Sequence, residues 1–342
     1  MKRWIALLLS TVLVLSLLGC QQERSEPEDT TVQTTAEALP EETTEKPTEE
    51  TTEEVTEPEE EPSSPILYKV TDSEGRFIYL LGSIHVATED MYPLPEYVLN
   101  AYNSCDALAV ECDIVSAEKD MSLAMEMAKS MVLTDGTRIS DHLSEETYER
   151  AVEILEENHT YYGALDMYQP VMWYSLISSL AMEKAGVDVS LGIDRFFIED
   201  ALDQDKPLLE IESVAEQYSI LSSMSMELQV AMLEDTVSYY DSAAYNLAIR
   251  AMCNAWAVGD GEGLIAMMET DTGALPPEQA ALLAESNDIL LGQRNVNMTD
   301  FAKESLELGG SVFIVVGAAH VLGEDGMAAV LAQEGYTVEQ IH

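Results

Sequence analysis

The sequence predicts a domain of the α/β or α+β class, in which a central mixed β-sheet carries large helical insertions that form a cap. Short apolar runs of strand length are separated by long stretches in which apolar residues recur at helical spacing. Two of the runs, near opposite ends of the domain, continue directly into Gly-x-x-His. Strands that alternate with helical segments are typical of domains that pack helices against a sheet.

The predicted elements begin with a hairpin, whose turn contains Asp, Ser, Glu and Gly, residues that favour chain reversal. The later strands are short apolar runs, and the helical segments between them are rich in Met and Leu. In chain order the prediction is strands at 66–70 and 76–81, a helix at 95–103, a strand at 107–113, a helical insertion at about 114–205, a strand at 206–212, a second helical insertion at about 214–308, a strand at 311–316, a helix at 326–333 and a strand at 336–341.

Residues 1–19 have the features of a secretion signal peptide. Lys2 and Arg3 give a positive start, and the apolar run 4–18 is too short to span a bilayer comfortably. The run ends in Leu-Leu-Gly-Cys, which resembles a bacterial lipobox, so we expect lipidation of Cys20. The alternative is an uncleaved signal anchor. A lipidated Cys20 would hold the protein in the cell membrane, on its extracytoplasmic face.

Residues 20–64 are predicted to be the lipidated cysteine followed by a disordered tether. Positions 21–64 contain sixteen acidic and two basic residues, and Thr and Pro fill most of the rest. Such a segment has almost nothing apolar to bury and extends through self-repulsion. This composition also suits a Gram-positive cell surface. Residues 65–342 then form the folded domain.

The folded domain is strongly acidic. The signal peptide (+2) and the tether (−14) account for part of the formal charge of −48, which leaves −36 for residues 65–342. This charge argues against nucleic acid or anionic membrane surfaces as partners of the domain, and it favours cations. Three further cysteines without a Cys-x-x-Cys spacing argue against a cysteine metal cluster.

Residues able to bind a divalent metal follow four of the predicted strands. His85 and His320 close the two Gly-x-x-His sequences, and Glu111 and Glu212 end the strands at 107–113 and 206–212. In α/β sheets ligands bind at the carboxyl ends of the strands. Two imidazoles with carboxylates suit Zn, Mn, Fe or Co. Each histidine also has a simpler interpretation, a hydrogen-bonded residue in a turn, and each acid can instead be exposed or cap a helix.

Three further positions are weaker candidates. Asp194 lies near a helix start, where it can cap the helix or orient a metal ligand. Arg294 and Asn295 fall on a predicted helix. For Arg294 the spacing alone favours a surface ion pair, whereas a functional role would be to grip a substrate carboxylate or a developing oxyanion.

The ordered motifs resemble the TraB/GumN family, which includes PrgY-like proteins and the animal Tiki proteases. The resemblance runs from about residue 66 to the C-terminus, and the order of the motifs makes it specific. The segments that carry it are Gly82-Ser83-Ile84-His85, Glu111-Cys112-Asp113, Gly192-Ile193-Asp194, Leu209-Glu210-Ile211-Glu212-Ser213 with Gln217, Arg294-Asn295, and Gly317-Ala318-Ala319-His320 through Gly323 and Gly326.

The resemblance implies a membrane-tethered, metal-dependent protease. Carried over to this chain, it implies His85, His320 and Glu111 as the metal site. The cofactor we expect there is a divalent ion, Mn, Co or Zn, whose identity the sequence leaves open. The family's third-strand acid maps to Glu212. One of the two glutamates would be a ligand and the other the general base, an assignment that the sequence leaves open.

The sequence therefore supports three hypotheses. The first is a lipid-anchored extracytoplasmic peptidase that acts on peptides or protein termini, in which Arg294 steadies the substrate and Asp113, Asp194 and Asn295 support the site. The second is a surface lipoprotein that sequesters a peptide or a haem-like ligand without turnover. In the third, the histidines serve only the fold.

Overall fold

The computed structural model describes residues 63–268 and 275–342. The predicted signal peptide, Cys20 and nearly all of the predicted tether lie outside the described residues. Within the part of the chain that is described, no helix is both long and apolar enough to cross a membrane.

Six strands form one mixed sheet in the order β4-β3-β5-β2-β1-β6. The four strands β4, β3, β5 and β2 run parallel to one another, whereas β1 is antiparallel to both β2 and β6. The strands are β1 (Leu67–Thr71), β2 (Phe77–Ser83), β3 (Ala107–Val110), β4 (Leu208–Glu210), β5 (Val312–Gly317) and β6 (Thr337–Ile341). The predicted mixed sheet is confirmed, although β4 is shorter than the predicted 206–212.

Helices fill the rest of the domain, with two long helical insertions between β3 and β4 and between β4 and β5, as predicted. In chain order they are α1 (Glu96–Asn103), α2 (Ile114–Ala117), α3 (Met121–Ser130), α4 (Glu145–Glu157), α5 (Pro170–Ala185), α6 (Ile193–Asp203), α7 (Val214–Ser222), α8 (Met226–Tyr239), α9 (Ala243–Ala257), α10 (Gly261–Met268), α11 (Pro277–Asn287), α12 (Gln293–Leu308), α13 (Ala318–Val321) and α14 (Met327–Gln333).

The central strands are buried on both faces. Every residue of β3 and of β5 is buried, as expected of parallel strands covered by helices. An aromatic cluster joins the sheet to the helices on one side, where the ring of Phe313 on β5 lies 5.6 Å from Tyr102 of α1 and 5.1 Å from Phe197 of α6, measured between centroids. This packing fixes the strands from which the candidate site projects.

The two Gly-x-x-His sequences lie side by side. Strands β2 and β5 are parallel neighbours, and Ser83 pairs with Gly317. A Cβ at position 82 would lie 3.0 Å from the Cα of Ala318, so Gly82 lets α13 pack closely across the end of β2. The repeated motif therefore delivers both histidines to the same edge of the sheet.

Candidate functional site

Four strand ends place titratable side chains at one edge of the sheet. His85 follows β2, Glu111 follows β3, Glu212 lies beyond β4, and His320 follows β5 on α13. All four are buried, with exposed fractions of 6%, 6%, 8% and 1%. The backbone N–H of Glu212 donates to the Glu111 carbonyl at 2.8 Å, which continues the β3–β4 pairing past its formal end.

His85 is held by the start of α6. Its Nδ1 lies 3.0 Å from Oδ2 of Asp194, and the Ile193 N–H donates to the Ile84 carbonyl at 3.0 Å. A Cβ at Gly192 would lie 2.7 Å from the His85 carbonyl oxygen. The Gly192-Ile193-Asp194 sequence is therefore explained: glycine permits the close approach, and the aspartate two residues on reaches the imidazole.

His320 is held in the same manner by α12. Its Nδ1 lies 2.6 Å from Oδ1 of Asn295, whose Nδ2 donates to the Asp325 carbonyl at 3.0 Å. This second bond fixes the amide so that its oxygen faces the ring. Because an amide oxygen only accepts, Nδ1 of His320 carries the proton, and in the neutral ring Nε2 keeps its lone pair.

Both Nε2 atoms are buried and have no hydrogen-bond partner among the described residues. Buried polar atoms rarely stay unpaired. Metal-binding histidines commonly donate one ring N–H to a carboxylate or carbonyl oxygen and leave the other nitrogen for the ion, and His85 and His320 have this arrangement. Oε1 of Glu111 lies 3.8 Å from Nε2 of His320, a separation that two ligands on bonds of about 2.0–2.2 Å can span.

The donor chemistry thus fits a divalent ion at the two histidines. No set of three His, Cys, Asp or Glu side chains within residues 63–268 and 275–342 already forms a metal-binding cluster. The structure therefore supplies two oriented imidazole donors and an adjacent carboxylate.

Arg294 joins the two glutamates. Its Nη2 donates to Oε2 of Glu111 at 2.7 Å and to Oε2 of Glu212 at 2.8 Å, and its Nε donates to Oε1 of Glu212 at 2.8 Å. All three side chains are at most 8% exposed. The interpretation of Arg294 as a partner of a surface acid is therefore wrong, because spacing along a helix does not show which buried charges face it.

A π-helical turn, Asp288–Gly292, precedes α12. Such a turn widens the helix and is frequent at functional sites. Here the Leu290 carbonyl accepts a hydrogen bond from Nη1 of Arg294 at 3.0 Å. The guanidinium thus donates hydrogen bonds to Glu111, Glu212 and the Leu290 carbonyl, and it does not point into open space.

Burial and these contacts shift the pKa values of the site. Burial opposes the charged form of Glu111, but Arg294, the two histidines and the Gly317 N–H hold its pKa well below the usual range. Burial lowers the pKa of His320 to about 4, so the ring is neutral near pH 7. Burial also opposes charge on His85, but Asp194 outweighs it and raises the pKa. A more basic imidazole is a stronger metal ligand.

Asp113 lies outside this network. Its Oδ1 accepts the Ser116 N–H at 2.9 Å and caps α2, while its own N–H donates to Oε1 of Glu210 at 2.9 Å. An aspartate at this position of a helix satisfies backbone donors. The structure thus brings together all the predicted site residues within its described range except Asp113.

Gln217 belongs to the network, although sequence reasoning gave it no role. Its Nε2 donates to Oε2 of Glu111 at 3.0 Å and to Oε2 of Glu212 at 3.1 Å. Ser213 caps α7 and forms a capping box with Glu216, which starts the helix directly after Glu212 and places Gln217 over both carboxylates. The acid-Ser-x-x-Glu-Gln spacing is the signal that could have identified it.

We expect Gln217→Glu to be much more harmful than Gln217→Met. Methionine loses two hydrogen bonds to charged groups, a loss of about 1–3 kcal/mol in the free energy of unfolding. Glutamate instead adds a third carboxylate about 3 Å from two others and should cost more, because like charges repel strongly when buried. Urea unfolding of the two variants at neutral pH tests this. Equal stabilities would contradict the bridging role.

The fold and the site define an α/β domain in which two Gly-x-x-His histidines and two glutamates share one sheet edge. Residues 66–340 match the TraB/PrgY/gumN family, so the chain belongs to that family and the predicted resemblance is confirmed. It is 26% identical over 265 residues to the uncharacterized protein YbaP of Escherichia coli strain K12, covering 77% of this chain and 90% of YbaP. The same values hold for YbaP of Shigella flexneri. No solved structure matches the chain.

Proposed function

We propose that this protein is a metal-dependent peptidase that acts outside the cytoplasmic membrane, to which a lipid on Cys20 anchors it. The observation that carries the proposal is the pair of buried Nε2 atoms of His85 and His320, which have no hydrogen-bond partner in the described part of the chain. Each ring is oriented by a hydrogen bond at Nδ1, to Asp194 or Asn295. Such pre-orientation is what a metal site requires.

In this proposal His85 and His320 would hold a Mn, Co or Zn ion through Nε2, and Glu111 would be the third ligand. The ion would supply Lewis-acid activation of water and of the substrate carbonyl. Glu111 suits the ligand role because its depressed pKa keeps it ionised. Its Oε1 also accepts the Gly317 N–H at 2.7 Å, which fixes its direction.

Glu212 is then the candidate proton acceptor. It lies next to Glu111 in the same network, joined through Gln217 and Arg294. Arg294 stays charged between the two carboxylates, because Glu111 and Glu212 raise its pKa despite burial. Its role in the proposal is therefore to position Glu111 and Glu212, in place of the direct grip on substrate expected from the sequence.

The proposal is tested by incubating the purified full-length protein with a mixed peptide library. We expect hydrolysis when Mn, Co or Zn is added, and its loss when a chelator is present. Product masses separate turnover from sequestration, since a binding lipoprotein would retain one peptide per chain and release no product. Cleavage that is absent with all three ions, or that persists unchanged with chelator, would overturn the proposal.

A further inference from the structure

A groove of about 1350 Å³ lies beside the histidine site. We call it the side groove; α10, α11, α12 and α14 line it together with the loop that follows α13. Two of its lining residues belong to the surroundings of His320. Asn295 holds Nδ1 of that histidine, and Ala319 precedes it in the chain. A molecule in the side groove would therefore lie against the wall that orients His320.

Part of the lining of the side groove is apolar, and we call this part the floor. It includes Ile265, Leu291, Val296, Leu322 and Val330. The side chain of Val296, on α12, is 51% exposed, one residue after the asparagine that binds His320. Apolar surface left open along a concave wall is typical of binding sites.

Three exposed acidic residues of the lining, which we call the rim of the side groove, have no ion-pair partner among the described residues. Asp288, Glu324 and Asp325 are exposed, and within the described range no lysine or arginine lies within ion-pair distance of them. The basic lining residue Lys303 is already engaged, because its Nζ lies 2.7 Å from Asp300 and 3.1 Å from Glu334. The groove thus offers negative charge that residues 63–268 and 275–342 do not neutralise.

We propose that the side groove binds a peptide segment in which basic side chains alternate with apolar ones. The apolar side chains would contact the floor, and the basic ones would pair with the rim acids. An anionic segment would be repelled both by the rim and by the overall charge of −36 on residues 65–342. The inference rests on the proposed peptidase function, since it names the class of substrate that would be held beside the histidine site.

Peptide binding to the full-length protein in chelator buffer tests this without requiring turnover. The probes are a short labelled peptide that alternates lysine with leucine or alanine and a matched peptide with glutamate for lysine, followed by fluorescence anisotropy. We expect saturable binding of the lysine peptide alone. With Asp288→Lys and Glu324→Lys combined, its affinity should fall about tenfold, because two attractive pairs become repulsive.

The matched control combines Glu126→Lys and Asp203→Lys. Both residues are exposed, carry the same charges and line neither the groove nor the histidine site, so the affinity should change by less than about twofold. Equal binding of the two peptides, or equal losses in the groove and control variants, would overturn the inference. Selective binding that persists in a His85→Ala, His320→Ala variant supports it, even where no hydrolysis is found and the proposed function fails.

Discussion

Replacing Arg294 by methionine is expected to lower the free energy of unfolding by about 3–5 kcal/mol. The guanidinium is the shared partner of Glu111 and Glu212 and is itself 7% exposed. Methionine has a similar shape and no charge. It would leave two carboxylates buried next to one another with their main counter-charge removed, and this is costlier than the loss of the hydrogen bonds alone.

The measurement is urea unfolding at neutral pH in chelator buffer, so that a bound ion does not replace the lost charge. Arg138→Met is the matched control, since its side chain is 64% exposed and pairs with Asp166 only at 3.8 Å. We expect that control to change stability by less than about 0.5 kcal/mol.

A rescue experiment separates the two causes of the stability lost in Arg294→Met, the unbalanced charge of the glutamates and the altered packing. Combining Arg294→Met with Glu111→Gln and Glu212→Gln removes the two carboxylate charges that Arg294 no longer balances, and part of the lost stability should return. If the triple variant is no more stable than Arg294→Met, or if Arg294→Met behaves like the surface control, the guanidinium does not balance the buried glutamates.

The sheet and its functional edge could be predicted because they depend on local signals. Strand β5 is a run of Val, Phe and Ile that ends in glycine, and the apolar run of β2 is likewise followed by a glycine, Gly82. Burial of such runs favours parallel pairing under helices, which brings their carboxyl ends to one edge. The convergence of His85 and His320 follows from that topology.

The partners of the histidines could not be predicted in the same way. Asp194 is 109 residues from His85 and lies in a helical insertion, and no local pattern states which helix start will face which strand end. Arg294 shows the same limit, because its burial depends on two acids from separate strands. The capping box of Ser213 and Glu216 is a local signal that places Gln217 on the first turns of α7. The hydrogen bonds of Gln217 to both glutamates could not be predicted, because they depend on the positions of β3 and β4 in the folded protein.

Removing both Gly-x-x-His imidazoles is expected to abolish metal binding. In a His85→Ala, His320→Ala variant both oriented Nε2 donors are lost, and the carboxylates that remain are already engaged by Arg294 and Gln217. Elemental analysis of the purified full-length protein should find about one ion per chain before the change and only background after it. Single removal of the orienting group, as in Asp194→Ala, should weaken metal affinity about 10–100-fold.

His142→Ala with His342→Ala is the control, since it removes the same number of imidazoles away from the site. His142 forms a hydrogen bond with the Thr137 hydroxyl at 2.7 Å, and His342 is exposed, so metal content should stay unchanged.

Thermal unfolding of the metal-free proteins shows whether His85 and His320 bind a metal ion or only support the fold. If the histidines only support the fold, the site variant loses stability while its metal content equals that of the control, because hydrogen bonds to Asp194 and Asn295 would then be their whole contribution. If they bind metal, added ions raise the unfolding temperature of the control and leave that of the site variant unchanged.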